Sequence, residues 1–230
     1  ILDATKSPTL GAINEDAGAP AGAVGSLVSS LVDFASPAGQ VDNVTALGAG
    51  GPLGIAVTAA DTANGSWYYS INGGTNWNPL GAVANNNARL LAADANTRLY
   101  FQPNANYNGT IANAITFRAW DQTSGSNGGT ANTTTNGGST AFSSATDTAS
   151  LTVNAVNDAP VNSAPTGQYT AYNTPLVFSA GNGNQISVSD VDAGANPLRV
   201  TLTVGQGTLT LAATSGLSFS SGANGSATMT

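Results

Sequence analysis

The chain has 230 residues, of which 41% are apolar and only 7% are charged, far below the roughly 25% of a typical soluble domain. Its 5 basic and 12 acidic residues give a net charge of −7, which disfavours nucleic acids and anionic membranes as partners. The sequence contains no Cys and no His, which excludes disulfides, thiol catalysis and Cys/His zinc sites.

Composition also indicates the fold class. Lys6 and Glu15 are the only Lys and Glu in the chain, so long helices stabilised by paired charges are not expected. Thr, Val and Gly are abundant, as they are in strands and turns. No apolar run approaches the ~20 residues that span a bilayer, and the chain starts at Ile1 without a signal peptide. We therefore expect an all-β protein without membrane insertion that is an interior fragment or a processed product.

Strand-like runs follow one another through the first two thirds of the chain. In order, the predicted strands are residues 7–13, 55–60, 67–71, 89–91, 97–103, 113–120 and 147–153. The apolar spacing of residues 24–32 fits either a short helix or a buried strand. In the sixth of these strands, alternation places Ile115, Phe117 and Ala119 on one face and Trp120 on the other.

One pair of strands carries the strongest local signal for a hairpin. Asn64-Gly65 lies between residues 55–60 and 67–71, and Asn-Gly between two strand-like runs favours a tight turn. We therefore predict that these two strands pair with each other. Trp67 and Tyr69 share one face of the second strand, and this aromatic face fits either a sugar-binding platform or part of a core.

A long polar segment separates the last two predicted strands of the first domain. Residues 122–146 consist mostly of Gly, Ser, Thr and Asn, with Phe142 as the one large apolar side chain. This composition predicts a long irregular loop. Its Thr-rich centre, residues 130–135, is compatible with ice or glycan binding, but a simple connecting loop is the favoured interpretation.

The second part of the chain begins after a short junction. Pro160 restrains the backbone of this junction to an extended conformation, and predicted strands then restart at residues 168–172, 176–178, 186–189, 198–204 and 208–211. No later run matches the alternating residues 147–153, so we expect the second domain to lack a closing strand. The predicted organisation is a domain at 1–156, a linker at 157–161 and an incomplete domain at 162–230.

One pattern occurs twice in the chain. In residues 55–61 and again in residues 186–192, a short predicted strand is followed by acidic residues. Short strands with turns at this spacing indicate a Greek-key sandwich. Glu15 resembles the Glu on the first strand of cadherin-like repeats, and Phe117-Arg-Ala-Trp-Asp121 resembles their strand-ending Asp motif. Ala155-Val-Asn-Asp-Ala-Pro160 resembles their linker, and Asp190-Val-Asp192 with Asn196 resembles their Asp-x-Asp loop. The chain thus resembles the cadherin-like repeats of bacterial surface proteins, including RTX-type adhesins. The resemblance implies tandem cadherin- or immunoglobulin-like β-sandwich domains, secreted or at a bacterial cell surface.

The acidic residues favour calcium as a cofactor, because Ca²⁺ takes about 6–8 oxygen ligands from carboxylates, carbonyls and waters. We predict a site at the domain junction formed by Glu15, Asn157, Asp158, Asp190, Asp192 and Asn196. We expect a second site, facing a preceding repeat, to contain Asp61 and Asp121 with Asp3. The alternative is that these side chains only stabilise turns, where Asp and Asn are favoured; that interpretation is adopted for Asp33, Asp42, Asp94 and Asp147.

Three functions are compatible with these patterns. The first is a non-enzymatic extracellular module, a calcium-stiffened repeat of a large adhesin whose partners are neighbouring repeats of the same chain. The second is a self-assembling subunit of a filament, sheath or S-layer, since an open sheet edge accepts a strand from another copy. The third is a carbohydrate-binding module that uses Trp67, Tyr68, Trp77 or Trp120. A hydrolase is disfavoured, because glycosidases need paired carboxylates in a cleft and these acids are predicted at sandwich ends.

Overall fold

The computed structural model describes residues 2–32 and 51–230, so Asp33 and Asp42 lie outside the described residues. The chain divides into two compact units, Ile1–Val156 and Asn157–Thr230, which we call unit 1 and unit 2. The helical elements among the described residues are two 3-10 turns, Val28–Ser30 and Ala180–Asn182, and the other elements are strands, which confirms the all-β class. No helix in the described part of the chain is long and apolar enough to cross a membrane.

The described residues of unit 1 form two sheets. Its strands are β1 (Ile13–Asn14), β2 (Ser26–Leu27), β3 (Gly54–Ala60), β4 (Gly65–Ser70), β5 (Asn78–Pro79), β6 (Ala88–Ala92), β7 (Arg98–Pro103), β8 (Gly109–Trp120), β9 (Thr130–Ala131) and β10 (Asp147–Asn154). A six-stranded sheet has the order β1-β10-β8-β3-β6-β9, and a four-stranded sheet has the order β2-β7-β4-β5. Strand β1 pairs with β10 in parallel, and the other paired strands are antiparallel. Apolar side chains from both sheets meet in one core, an arrangement compatible with a β-sandwich.

Alternation along the central strands decides which side chains enter that core. In β10, Ala149, Leu151 and Val153 are buried while the residues between them are more exposed, as expected for a strand with one buried face. In β8, Phe117 belongs to the core between the sheets and Trp120 to a different cluster. The predicted split of β8 into two faces is therefore confirmed.

The predicted hairpin between residues 55–60 and 67–71 is wrong. Strand β3 pairs with β6 and β8 in the six-stranded sheet, whereas β4 pairs with β5 and β7 in the four-stranded sheet. The turn at Asn64-Gly65 therefore connects the two sheets instead of closing one. Ile55 and Val57 from β3 and Trp67 from β4 lie in the same core, so these strands contribute to it from different sheets.

The long polar loop covers the outer face of the six-stranded sheet. Phe142, Ala141 and Ala131 from the loop pack with Trp120 and with small and aliphatic side chains of β3 and β6 in a second apolar cluster. Within the loop, Thr133 is fully buried, and its backbone and side chain both donate hydrogen bonds to Asn85 O, at 2.6 and 2.9 Å. The segment is irregular, as predicted, apart from the two residues of β9. Its few apolar side chains anchor it to the sheet.

The ambiguous segment at residues 24–32 contains both kinds of local structure in very short form. Strand β2 pairs with β7, and a single 3-10 turn, Val28–Ser30, follows directly. Val28, Leu31 and Val32 are buried in the main core. The apolar spacing of residues 24–32 therefore reflects the burial of these side chains more than it reflects a regular helix or strand.

Unit 2 has much less regular structure. Its strands are β11 (Val161–Ser163), β12 (Ser187–Ser189), β13 (Leu202–Thr203) and β14 (Thr228–Met229), paired as β11 with β12 and β13 with β14, both antiparallel. The strands predicted at 168–172, 176–178 and 208–211 are irregular instead. Of the residues in unit 2, only Asn184 and Met229 are buried. Because these segments find no apolar face to pack against, their strand-like pattern does not lead to a sheet.

Candidate cation-binding residues

The acidic loop of unit 2 brings three of the predicted ligand residues together. Strand β12 ends at Ser189, and the loop folds back so that Asp190 Oδ1 accepts the backbone N–H groups of Asp192 and Ala193, both at 2.9 Å. The backbone N–H of Asp158 donates a hydrogen bond to Asp192 Oδ2. The first residues of unit 2 and this loop are therefore joined through the Asp192 carboxylate, and a cation site formed by these residues stays a prediction.

Two predicted amide ligands lie beside these carboxylates in the chain. Asn157 Nδ2 donates to Asp158 O at 2.8 Å, so this side chain is folded onto the segment that carries Asp158. Asn196 N donates to Ala193 O at 2.8 Å and closes the turn that follows Asp192. In the described residues, the bonds to Asp190 use only Oδ1 and those to Asp192 only Oδ2. The second oxygen of each carboxylate is available to a hard cation, which prefers oxygen ligands.

No group of three or more acidic side chains in residues 2–32 and 51–230 lies together in a metal-holding arrangement. A cation in the unit 2 loop would therefore need ligands besides carboxylates. Backbone carbonyls, Asn side chains and waters are ordinary ligands for Ca²⁺, and Asn157 and Asn196 are the amides nearest in sequence. The residues present fit a site of mixed ligands better than a site built from carboxylates alone.

Glu15 occupies a different kind of environment in unit 1. It follows β1 and is buried, with 2% of its surface exposed. Its Oε1 accepts the backbone N–H of Val156 at 2.6 Å, and its Oε2 accepts Nδ2 of Asn108 at 2.9 Å. Its own N–H donates to Asn154 O at 2.9 Å, which extends the pairing of β1 with β10. Glu15 therefore holds together three segments of unit 1, and its part in a cation site stays a prediction.

Asp61 and Asp121 do not share a site, contrary to the prediction. Asp61 N donates to Ala114 O, whereas Asp121 follows Trp120, which pairs with Gly54 at the opposite end of β3. Ala114, beside Asp61, and Trp120, beside Asp121, are about 20 Å apart along β8. Asp61 and Asp121 lie at opposite ends of these strands because β3 and β8 are antiparallel, so that their C-terminal ends point in opposite directions.

Both of these Asp side chains stabilise local turns. Asp61 Oδ1 accepts the N–H of Ala63 at 2.9 Å, and Asp121 Oδ1 accepts the N–H and the hydroxyl of Thr123 at 2.9 and 2.6 Å. A short Asp side chain that bonds the backbone two residues on is a common way to end a strand. These local hydrogen bonds are sufficient to explain why Asp61 and Asp121 lie at strand ends.

The most unusual carboxylate of unit 1 is one that the sequence analysis assigned to a turn. Asp147 is 7% exposed and lies on the same face of β10 as the core residues Ala149 and Leu151. Its Oδ1 accepts the N–H of Thr148 at 2.7 Å, while its buried Oδ2 has no hydrogen-bond partner. Burial raises the pKa of Asp147, the Thr148 N–H opposes this shift, and the Asp3 carboxylate adds to it. The strict alternation of residues 147–153 was the signal that could have identified this inward orientation.

Asp3, by contrast, is held in its charged form. The Thr5 hydroxyl, at 2.6 Å, and the Thr5 N–H, at 3.0 Å, both donate to Asp3 Oδ1. These bonds lower the pKa of Asp3, and the Lys6 ammonium, 3.8 Å from Asp3 Oδ2, acts in the same direction. The expectation that Asp3 shares a site with Asp61 and Asp121 receives no support from these local contacts.

Two of the four aromatic residues proposed for sugar binding are buried in the described structure. Trp67 and Trp120 are buried, and their indole N–H groups donate to Asp61 O and Ser124 O at 2.7 and 2.8 Å. Trp77 is half-buried and makes an edge contact with Tyr100, with 5.8 Å between the ring centroids. These contacts assign Trp67 and Trp120 to packing, which removes two of the residues proposed for sugar binding.

Among the described residues, the linings of two clefts of unit 1 contain no pair of carboxylates. One, of about 490 Å³, is lined by Trp67, Phe101 and other mostly apolar residues, with no acid among the described ones. The second, of about 470 Å³, has Asp94 as the one carboxylate among its described lining residues. Asp94 Oδ1 accepts the N–H groups of Asn96 and Thr97, so this carboxylate stabilises a turn.

Comparison of the chain with protein-family models, with characterised proteins and with solved structures found no match.

Proposed function

We propose that this chain is a non-enzymatic, extracellular structural and adhesion module, a calcium-stiffened repeat of a large bacterial surface adhesin. In this proposal the two units are cadherin-like domains of Greek-key topology, and the function is to extend and space a binding tip. The all-β structure, the net charge of −7 and the motifs that resemble cadherin-like repeats support it.

The observation that carries the proposal is the hydrogen bond from Asp158 N to Asp192 Oδ2 in unit 2. It joins the first residues of the unit to the loop that contains Asp190 and Asp192, so residues distant in sequence come close in space. Like charges at short range repel each other unless a cation neutralises them. A bound Ca²⁺ would therefore fix the start of unit 2 against its acidic loop and stiffen that part of the chain.

Calorimetric titration with Ca²⁺, combined with thermal melts in millimolar Ca²⁺ and in chelator, tests this proposal. We expect a calcium-dependent rise in melting temperature, because a ligand that binds only the folded state adds about 2.7 kcal/mol of stability at a hundred times its Kd. Backbone circular dichroism is the suitable probe, since Trp67, Trp77 and Trp120 all lie in unit 1 and do not report on unit 2.

The variant Asp190→Asn/Asp192→Asn should lose both the heat of binding and the calcium-dependent shift. The matched control is Asp94→Asn, which changes a turn carboxylate of unit 1 and should keep both signals. Equal titration curves for the wild type and the double variant would contradict the calcium mechanism.

A second function, self-assembly into a filament, sheath or S-layer, is favoured by one separate observation. Unit 2 exposes many large apolar side chains, including Val161, Val177 and Leu217 at 64%, 57% and 56%. Contiguous exposed apolar surface marks interaction sites. Sedimentation velocity over a range of concentrations tests this function: growth into ordered assemblies that Val177→Ser/Leu217→Ser abolishes would support it, and a monomer at all concentrations would contradict it.

A further inference from the structure

We infer that Asn108 is a site of deamidation, and that its conversion breaks the contact that holds Glu15 at the end of unit 1. This inference is independent of the calcium proposal. It depends on the Asn108-Gly109 pair, on the hydrogen bond from Asn108 Nδ2 to Glu15 Oε2 at 2.9 Å, and on the burial of Glu15.

The local sequence at this position has little freedom to change. Gly109 has φ +134°, a conformation that residues with a Cβ rarely adopt. Asn108 supplies the N–H donor that the buried Glu15 carboxylate accepts. The fold therefore requires Asn followed by Gly here, which is the dipeptide most prone to deamidation because Gly leaves the peptide nitrogen unhindered.

The reaction needs only water. The backbone nitrogen of Gly109 attacks Cγ of Asn108 and loses its proton to solvent, while the side-chain nitrogen leaves as ammonia and a cyclic imide forms. Water then adds to one of the two imide carbonyls and opens the ring, which leaves aspartate or isoaspartate at position 108. Asn108 is exposed to solvent, so water and base can reach the reacting atoms.

The contact with Glu15 distinguishes this Asn-Gly pair from the others. Asn64, Asn72, Asn127, Asn136, Asn182 and Asn224 are also followed by Gly. In the described structure, the side-chain amides of Asn127, Asn136, Asn182 and Asn224 donate to hydroxyl or carbonyl oxygens. Only at Asn108, among the Asn-Gly pairs of the described residues, does the amide donate to a carboxylate.

Conversion of Asn108 has a direct physical consequence. The neutral donor becomes a second carboxylate beside Glu15, which is 2% exposed and loses the hydrogen bond to Oε2. Two carboxylates in contact destabilise each other when both are ionised, and burial increases the cost. The bond from Val156 N to Glu15 Oε1, at 2.6 Å, belongs to the same contact, so we expect the last residues of unit 1 to loosen.

Ageing of the wild-type protein at mildly alkaline pH, followed by peptide mapping, tests the chemistry. We expect aspartate and isoaspartate to accumulate at position 108, together with a loss of melting temperature in proportion to the converted fraction. Asn108 that remains an amide while other exposed Asn-Gly pairs convert would overturn the inference. Conversion without any change in melting temperature would overturn it as well.

Designed variants test the consequence separately. Asn108→Asp should lower the melting temperature clearly more than the control Asn64→Asp, which makes the same change at an Asn-Gly pair without a carboxylate contact. The double variant Glu15→Gln/Asn108→Asp exchanges donor and acceptor, because Gln Nε2 can donate to the new carboxylate, and it should recover most of the loss. A double variant as unstable as Asn108→Asp alone would show that loss of the Glu15 contact does not cause the destabilisation. If Asn108→Asp does not fold, recovery of a folded protein in the double variant still tests the contact.

Discussion

Arg89 and Tyr69 lie in different sheets of unit 1 and donate hydrogen bonds to the same acceptor, the carbonyl oxygen of Gly128. The distances are 2.8 Å from Arg89 Nη1 and 3.2 Å from the Tyr69 hydroxyl, and the guanidinium carbon lies 4.9 Å from the centroid of the Tyr69 ring. Arg89 Nη2 also donates to Leu80 O at 3.2 Å. This contact joins β6, β4 and the long polar loop, so it connects both sheets with the segment that covers one of them.

We predict that removing either donor destabilises unit 1. Tyr69→Phe should cost about 1 kcal/mol, the usual contribution of a hydrogen bond that is replaced by an apolar group. Arg89→Met should cost more, about 2 kcal/mol, because it removes the cation–π contact and two hydrogen bonds. Chemical denaturation measures both values. Tyr68→Phe, which changes a half-buried tyrosine of the same strand, is the control and should have little effect.

A double-mutant cycle gives the coupling between the two residues. The double variant Tyr69→Phe/Arg89→Met should lose less stability than the sum of the single variants, because the two side chains share one acceptor. Additive losses would mean that the two residues act independently, which would contradict the shared role of Gly128 O.

The buried carboxylate of Asp147 predicts an unusual dependence of stability on pH. Because the pKa of Asp147 is raised in the folded state, ionisation costs stability as the pH rises from the ordinary Asp value through the raised one. Asp147→Asn removes this cost. The melting temperature of the variant relative to the wild type should therefore be higher at about pH 7 than at about pH 3, where Asp147 is protonated in both states.

The comparison needs a control for the other acids, since Asp3 and Lys6 are the neighbouring charged groups that influence this region. Asp61→Asn changes a carboxylate in an exposed turn of the same unit, and its difference from the wild type should change much less between the two pH values. A constant difference for Asp147→Asn would show that its carboxylate is not desolvated in solution.

The two apolar clusters of unit 1 predict two different responses to truncation. Phe117→Ala should cost about 3–5 kcal/mol, because Phe117 is fully buried between the sheets. Phe142→Ala should cost less and act locally, because Phe142 is 8% exposed in the cluster between the sheet and the loop. Hydrogen exchange distinguishes the two outcomes: the Phe142 variant should lose protection mainly in residues 121–146, and the Phe117 variant throughout unit 1. Equal losses of protection would mean that the loop and the two sheets unfold as one unit.

The local faces of strands could be predicted from the sequence, whereas the pairing of strands could not. Alternation correctly placed Phe117 and Trp120 on opposite faces of β8, because the side-chain period of a strand is fixed by the backbone. The same rule says nothing about which strand lies alongside. Gly65 illustrates the difference, because a Cβ on this residue would lie 2.3 Å from Gln102 O. The glycine allows β4 to approach β7 closely, and its apparent role in a hairpin turn was a coincidence of spacing.

The turn contacts of acidic and amide side chains were predictable from the sequence where local chemistry dominates, and the cation site stays a prediction. Asp3, Asn132 and Asp121 each precede a Thr by two residues, and in each case the Thr hydroxyl and N–H bond the Asp or Asn side chain. For Asp121, which follows β8, this local contact is sufficient to explain an acid at the end of a strand. The partner of Glu15 could not be predicted, since Asn108 is distant in sequence and the contact depends on the packing of β1 against β10.

Gly54, the first residue of β3, leaves no room for a larger side chain. A Cβ at this position would lie 2.6 Å from Leu91 O and 2.6 Å from Trp120 Cε3, both closer than real Cβ contacts. Gly54→Ala should therefore force β3 away from β6 or displace the Trp120 ring, at a cost of about 1–3 kcal/mol typical of overpacking. Gly18→Ala is the matched control, because a Cβ there meets nothing within 4 Å, and it should change stability by no more than about 0.5 kcal/mol. Denaturant titration of both variants measures the difference, and the Gly54→Ala variant should also show altered Trp fluorescence, since Trp120 is one of the two groups that must move. A Gly54→Ala variant as stable as the control would mean that β3 and β6 are less closely packed in solution than these distances require.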